Sequence, residues 1–227
     1  MRKVISIALL SAALSLAPNL RATQDVFSEF QSRVDEALIQ GIRAGDGAAM
    51  AQAGRSGNRL FIPFLREQLK NRDKHVDRVG PARFALARLG ETDQLQEVWC
   101  SASSGDPVEN GAAVLNLGLI GGWFGIRGLE IFLTPEGQRH FLTTPTKHKD
   151  ASDIGLLPPM YYALKALPGA VPHPPVQFDD TQMAQQTKIW QDWIPAHKDE
   201  LSKLQPTGDG VDFSDNACKN GKSHTKH

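Results

Sequence analysis

Cysteine, tyrosine, net charge and long apolar runs are all scarce in this chain of 227 residues. It has two cysteines and two tyrosines, and its 25 Lys and Arg residues equal its 25 Asp and Glu residues in number. A chain so balanced lacks the basic excess that supplies most nucleic-acid affinity. We therefore expect no nucleic-acid partner.

Motifs that mark common catalytic sites are also missing. The sequence has no Gly-x-Ser-x-Gly nucleophile turn, no phosphate-binding loop with its lysine, and no His-x-x-x-His or His-Glu-x-x-His pair. Its one tight histidine pair, His224 and His227, lies in a polar tail where a solvated role is the simpler interpretation. The sequence thus assigns no catalytic residue, no metal ligand and no cofactor.

Only one long apolar run is present, at the start of the chain. Arg2 and Lys3 precede an apolar stretch that is too short to cross a bilayer, which is typical of a secretory signal peptide. We predict a signal peptide over 1–22, with cleavage after Ala22 or nearer Ala17. The mature protein would then be periplasmic or secreted, would not enter a membrane, and would be faintly acidic because only basic residues are removed.

The two cysteines, Cys100 and Cys218, leave two arrangements open. Outside the cytoplasm they can form a single disulfide, provided that the polar tail folds back to bring them within bonding distance. Alternatively, Cys100 is a small buried hydrophobic residue and Cys218 stays unpaired.

A short pattern of apolar and small residues ending in glycine recurs along the chain. Its best copies are Ala85–Gly90 and Ala113–Gly118, and a fainter copy is Ala49–Gly54, so the glycines are 36 and 28 residues apart. Each copy follows another amphipathic run. Self-similarity at this spacing predicts stacked helix pairs, with Leu65, Leu86 and Leu115 in the core.

The pair of runs between Asn58 and Gly90 resembles a HEAT-like repeat of the kind first named for phycobilin lyases. A leucine-rich helix (Phe61–Leu69) is followed by a polar turn (Lys70–Lys74), and the second helix ends in Ala-Leu-x-x-Leu-Gly. The resemblance implies an all-α fold, an α-solenoid of stacked antiparallel helix pairs whose exposed face binds proteins or peptides.

The predicted domain organisation follows from where the helical periodicity stops. We predict the helical-repeat domain over 23–204, with an extended proline-rich connection over 168–175, and a disordered polar tail over 205–227. Three helix starts are also predicted: a cap at Thr92, a proline-initiated helix at Pro107, and a helix from Ile154.

One long segment without periodicity, residues 134–152, interrupts the repeats. Loops of this length inside a domain commonly carry function. It combines an aromatic residue with basic side chains, a mixture suited to an acidic or carboxylate-bearing peptide. The predicted binding residues are Arg139, His140, Phe141, Lys147, His148 and Lys149.

Together these patterns favour a secreted or periplasmic scaffold that binds a protein or peptide, rather than an enzyme. The alternative is an enzyme or accessory lyase-like protein that uses the 134–152 loop.

Overall fold

The computed structural model describes residues 28–70, 76–104, 107–137, 157–214 and 217–218. Within these ranges every regular element is a helix, and the helices pack together. No helix in the described ranges is both long enough and apolar enough to span a membrane. The predicted signal peptide lies outside the described residues.

Ten α-helices of the described residues carry the fold, and residues 135–137 and 217–218 are also helical. Their bounds are α1 28–44, α2 Gly47–Ser56, α3 Ile62–Lys70, α4 Val76–Arg88, α5 Thr92–Ala102, α6 Pro107–Ile120, α7 Gly122–Ile131, α8 Pro159–Ala170, α9 Met183–Ala196 and α10 Lys198–Leu201. Short 3₁₀ turns, Arg59–Phe61 and Asp180–Gln182, lead into α3 and α9.

Two hydrophobic clusters form the core. The first lies among the first four helices and includes Met50, Phe61 and Leu65, while the second extends from α5 to α10. Helix α4 belongs to both, since it buries Leu86 in the first cluster and Ala87 in the second. This shared helix joins the two halves of the described chain.

Positive-φ glycines follow several helices, and the first of them, Gly45, lies just beyond α1 with a φ of 85°. Gly57, Gly90 and Gly121 lie just beyond α2, α4 and α6 with φ values of 69°, 82° and 68°. Gly90 closes the C-terminal cap of α4. Its amide donates to the Ala87 carbonyl, and the Glu91 amide donates to the Leu86 carbonyl. These three glycines are 33 and 31 residues apart.

Of the three glycines in the sequence pattern, only Gly90 lies just beyond the end of its helix. Gly54 and Gly118 lie inside α2 and α6 and do not terminate them. A Cβ on Gly54 would come within 2.7 Å of the Ala85 Cα, and a Cβ on Gly118 within 2.6 Å of the Ala166 Cβ. Both glycines allow close approach of a neighbouring helix, which is a tertiary requirement that resembles a cap in the sequence.

Several predicted boundaries and core positions also differ. The N-cap of α5 is Glu91 rather than Thr92, and α8 begins at Pro159 rather than Ile154. Helix α8 also includes Pro168, so the non-helical connection predicted over 168–175 begins at Val171, where the backbone is extended. Leu65 and Leu86 are fully buried as predicted, but Leu115 is only half-buried and Leu117 takes the core position. As predicted, α6 begins at Pro107 and α4 ends before Gly90.

The predicted disordered tail is contradicted where the structure describes it. Residues 205–214, here called the C-terminal strap, run back along the helices, and Val211, Phe213 and Cys218 pack against the second cluster. Composition suggested disorder because the strap is polar and glycine-rich, yet a few apolar residues at the right places fix it. The residues of the tail beyond 218 lie outside the described part.

Candidate binding cleft

Helix α5 presents two opposite faces to the rest of the protein. A helical period of 3.6 residues places side chains at i, i+3, i+4 and i+7 on one side. One face carries Gln94, Glu97, Val98 and Ser101, which border an open cleft. The opposite face carries Thr92, Gln96, Trp99 and Ser103, which point toward the C-terminal segment.

The cleft lies between α4, α5 and α6 and has a volume of about 150 Å³. Phe84 from α4, Val98 from α5 and Ala113 from α6 form its apolar walls. Polar side chains make up much of the remaining lining: Arg83, Gln94, Glu97, Ser101 and Asn116. Apolar surface with convergent polar groups is the usual lining of a site that binds a small group or a side chain.

Gln94 supplies a buried polar group to this cleft. Its side chain is only 5% exposed, and its Oε1 has no hydrogen-bond donor among the described residues. The orientation of the amide is set by its Nε2, which donates to the Asp93 carboxylate at 3.1 Å. Because a buried acceptor without a donor is costly, a movement of this side chain that brings Oε1 to an N–H or O–H group of a ligand gains free energy.

An ion pair stands at the mouth of the cleft. The Arg83 Nη2 atom lies 2.7 Å from Glu97 Oε2, and both side chains are partly exposed. Exposed pairs of this kind contribute little to stability. This pair nevertheless places a positive and a negative charge beside the apolar walls of the cleft. Such an arrangement suits a zwitterionic or peptide-like ligand more than a hydrocarbon.

A charged network fixes the start of α5, from which Gln94 projects. Arg66 on α3 donates to the carboxylates of Glu91 and Asp93, and Arg59 donates to Glu91 at 2.8 Å. The hydrogen bonds from Arg66 lower the pKa of Asp93 below its usual value, and the same bonds raise the pKa of Arg66. The network thus holds α5 against α3 while both of these residues are charged.

Replacing Asp93 with asparagine is expected to lower the free energy of unfolding by less than about 1 kcal/mol at pH 7, since the pair is partly exposed. Because the folded-state pKa is depressed, this contribution is complete above the unfolded-state value of about 3.9 and is lost as the pH falls through the folded-state pKa. Urea unfolding of both proteins at pH 7 and at pH 3 measures the difference. An unchanged difference at the two pH values would contradict the assignment.

The opposite face of α5 holds the C-terminal strap in a groove between α5 and α7. Phe213 lies 5.0 Å from Trp99 and 5.7 Å from Phe124 between ring centroids, and the Arg127 guanidinium lies 4.5 Å from its ring centre. The Gln96 side chain bonds both to the amide and to the carbonyl of Asp212, each at 2.8 Å.

The N-terminus of α7 also binds this segment. The amides of Trp123 and Phe124 donate to the carbonyls of Leu204 and Pro206, each at 3.0 Å. These are the first amides of a helix, which have no partner within the helix itself. Gly122 permits this approach, because a Cβ there would lie 2.4 Å from the carbonyl carbon of Gln205.

Cys100 and Cys218 are joined by a disulfide that fastens the C-terminal segment to α5. Their Cα atoms are 5.1 Å apart across 118 residues of sequence. Of the two arrangements that the sequence left open, the structure has the bridged one.

The six residues predicted to bind a partner, from Arg139 to Lys149, lie outside the described residues, so that site stays a prediction. The cleft was not predicted from the sequence. The only signal for it was the helical spacing of Gln94, Val98 and Ser101, which places a polar residue on an otherwise inward-facing stripe. In the described ranges no three His, Cys, Asp or Glu side chains come together as metal ligands would.

Comparison of the chain with protein-family models, with curated proteins and with solved structures gives no match.

Proposed function

We propose that this protein is a helical-repeat scaffold of HEAT-like type that binds a protein or peptide, and that the cleft between α4, α5 and α6 is its binding site. The observation that carries this proposal is Gln94, which borders the open cleft and whose buried Oε1 atom has no donor among the described residues. An extended peptide supplies such donors from its backbone or from an amide side chain.

Three regularities support stacking of helix pairs. Alternate helices contact one another, α2 with α4, α4 with α6, and α6 with α8. The glycines that follow α2, α4 and α6 recur at nearly constant spacing. Arginines also bind the carbonyls at helix ends, since Arg59 donates to Leu89 within the pair from Asn58 to Gly90, and Arg88 of that pair donates to Leu119 of the next. Repeats of this kind bind partners through surfaces that the stacking leaves exposed.

We also propose that the scaffold works outside the cytoplasm. The predicted signal peptide over 1–22 supports export, and a disulfide between Cys100 and Cys218 is a bond that persists in oxidising compartments. The predicted 134–152 site remains a second surface that the same scaffold would present.

Selection of peptides from a displayed library on the immobilised, oxidised protein tests the cleft. Ser101 borders the cleft and is exposed, so Ser101→Trp should fill the cleft with little effect on folding. We expect the selected peptides to bind this variant at least about tenfold more weakly, as happens when a contact worth about 1.4 kcal/mol is lost.

Gln185→Trp is the matched control, because it adds the same ring to an exposed position on α9, away from the cleft. It should bind the peptides as the unmodified protein does. Equal binding by the Ser101→Trp variant, or a failure to enrich any peptide, would rule out the cleft as the binding site.

A further inference from the structure

We infer that the groove between α5 and α7 is a second peptide-binding site, distinct from the cleft, for an extended segment that carries an aromatic residue. In the oxidised protein its occupant is the chain's own C-terminal strap. Reduction of the Cys100–Cys218 disulfide makes the groove available to a segment of the same chemistry supplied in trans.

An aromatic anchor determines which segment fits. Phe213 is held between the rings of Trp99 and Phe124 while Arg127 covers its face at 4.5 Å. Such an arrangement attracts an aromatic ring through both apolar contact and the cation–π interaction. An aliphatic side chain at this position would keep the apolar contact but lose the cation–π interaction.

The other contacts recognise main chain, and any extended peptide can make them. Gln96 pairs with the amide and carbonyl of one strap residue, as a neighbouring β-strand would. In the first turn of α7 the Phe124 amide donates to the Pro206 carbonyl of the strap, and the Trp123 amide donates to the carbonyl of Leu204, just before the strap. Main-chain hydrogen bonds for affinity and a side-chain pocket for specificity are the usual means by which proteins bind extended peptides.

The strap behaves as a ligand tethered at both ends. It has no helix of its own, and Asp209, Asp212 and Phe213 make hydrogen bonds and ring contacts with α5 and α7. The disulfide closes the second tether, and both cysteines are partly exposed and so accessible to a dithiol. Exchange with a dithiol breaks the S–S bond and forms two protein thiols, while the reductant loses two electrons and two protons and becomes a disulfide. One tether is then lost, and the effective concentration of the strap at its groove falls.

The test uses the full chain and a fluorescent synthetic peptide of residues 205–214 as the probe. The protein carries Phe213→Ala to weaken its own strap, and binding is measured by fluorescence anisotropy before and after treatment with dithiothreitol. We expect the peptide to bind the reduced protein at least about tenfold more tightly than the oxidised one. A peptide with alanine in place of its phenylalanine should bind at least about tenfold more weakly than the native peptide.

Two variants identify the site. Arg127→Leu should weaken peptide binding, while Ser101→Trp, on the opposite face of α5, should leave it unchanged. The Cys100→Ser/Cys218→Ser protein, also carrying Phe213→Ala, should bind like the reduced one, and circular dichroism checks that each protein remains helical. Equal binding by oxidised and reduced proteins, no binding at millimolar peptide, or loss of helicity on reduction would each overturn the inference. Because Ser101→Trp is expected to leave peptide binding in the groove unchanged, a negative result for the groove is distinguishable from a negative result for the cleft.

Discussion

Replacing Trp99 with alanine is expected to lower the free energy of unfolding by about 3–5 kcal/mol, the range for deleting a large buried aromatic side chain. Trp99 is 2% exposed and lies in the second hydrophobic cluster. Its ring is 5.9 Å from that of Phe132 and 5.0 Å from that of Phe213. The substitution therefore leaves a cavity and also removes one wall of the groove that holds the strap. Urea unfolding of the oxidised protein, followed by circular dichroism, measures the change.

Trp193→Ala is the matched control for this substitution. Trp193 is half-buried on α9, where it contacts Trp190 and stacks on His197 at 4.3 Å. Since much of its surface is already in water, we expect a loss of only about 1–2 kcal/mol. Equal losses for the two tryptophans would show that the burial of Trp99 is assigned incorrectly.

Replacing Gly122 with alanine is expected to cost about 2–5 kcal/mol, by adding backbone strain to a steric clash. Gly122 has a φ of 63°, a conformation that side chains with a Cβ rarely adopt. The new Cβ would also lie 2.4 Å from the Gln205 carbonyl carbon, which is too close for any atom pair of this kind. The strap must move away, so we expect faster proteolysis within residues 205–214 in addition to the loss of stability.

Gly57→Ala separates the two contributions. Gly57 has a φ of 69°, but a Cβ there would meet nothing within 4 Å. It should cost only the conformational strain, about 1–2 kcal/mol, with no change in proteolysis of the strap. If Gly57→Ala and Gly122→Ala are equally destabilising, the strap does not press against Gly122 and its placement in the groove is wrong.

Local chemistry allowed the sequence to predict where several helices begin and end. Helix α6 starts at Pro107, because proline fits the first turn of a helix, where no amide partner is needed. Helix α4 stops before Gly90, because a left-handed residue is needed to close its cap. Such signals depend on a few neighbouring residues, and so an all-helical fold could be predicted without tertiary information.

The roles of Gly54 and Gly118 depend on how the helices pack, which the sequence does not show. In sequence they follow the same apolar and small residues as Gly90, but they allow close helix contacts with Ala85 and Ala166. A glycine that ends a helix and a glycine that admits a neighbouring helix have the same side chain. The difference lies in the distance to residues that are 31 or more positions away.

The cleft and the strap were undetermined by the sequence for the same reason. Gln94 is distinguished by its Oε1 atom, which has no donor among the described residues. That property depends on how α4, α5 and α6 pack together. The strap is polar enough to predict disorder, yet Phe213 and Cys218 secure it against residues of α5 that lie more than a hundred positions earlier. Composition records how much apolar surface a segment carries, whereas the fold determines whether a pocket exists to receive it. Local sequence signals therefore account for the helices, whereas long-range packing sets which surface is open and which is filled.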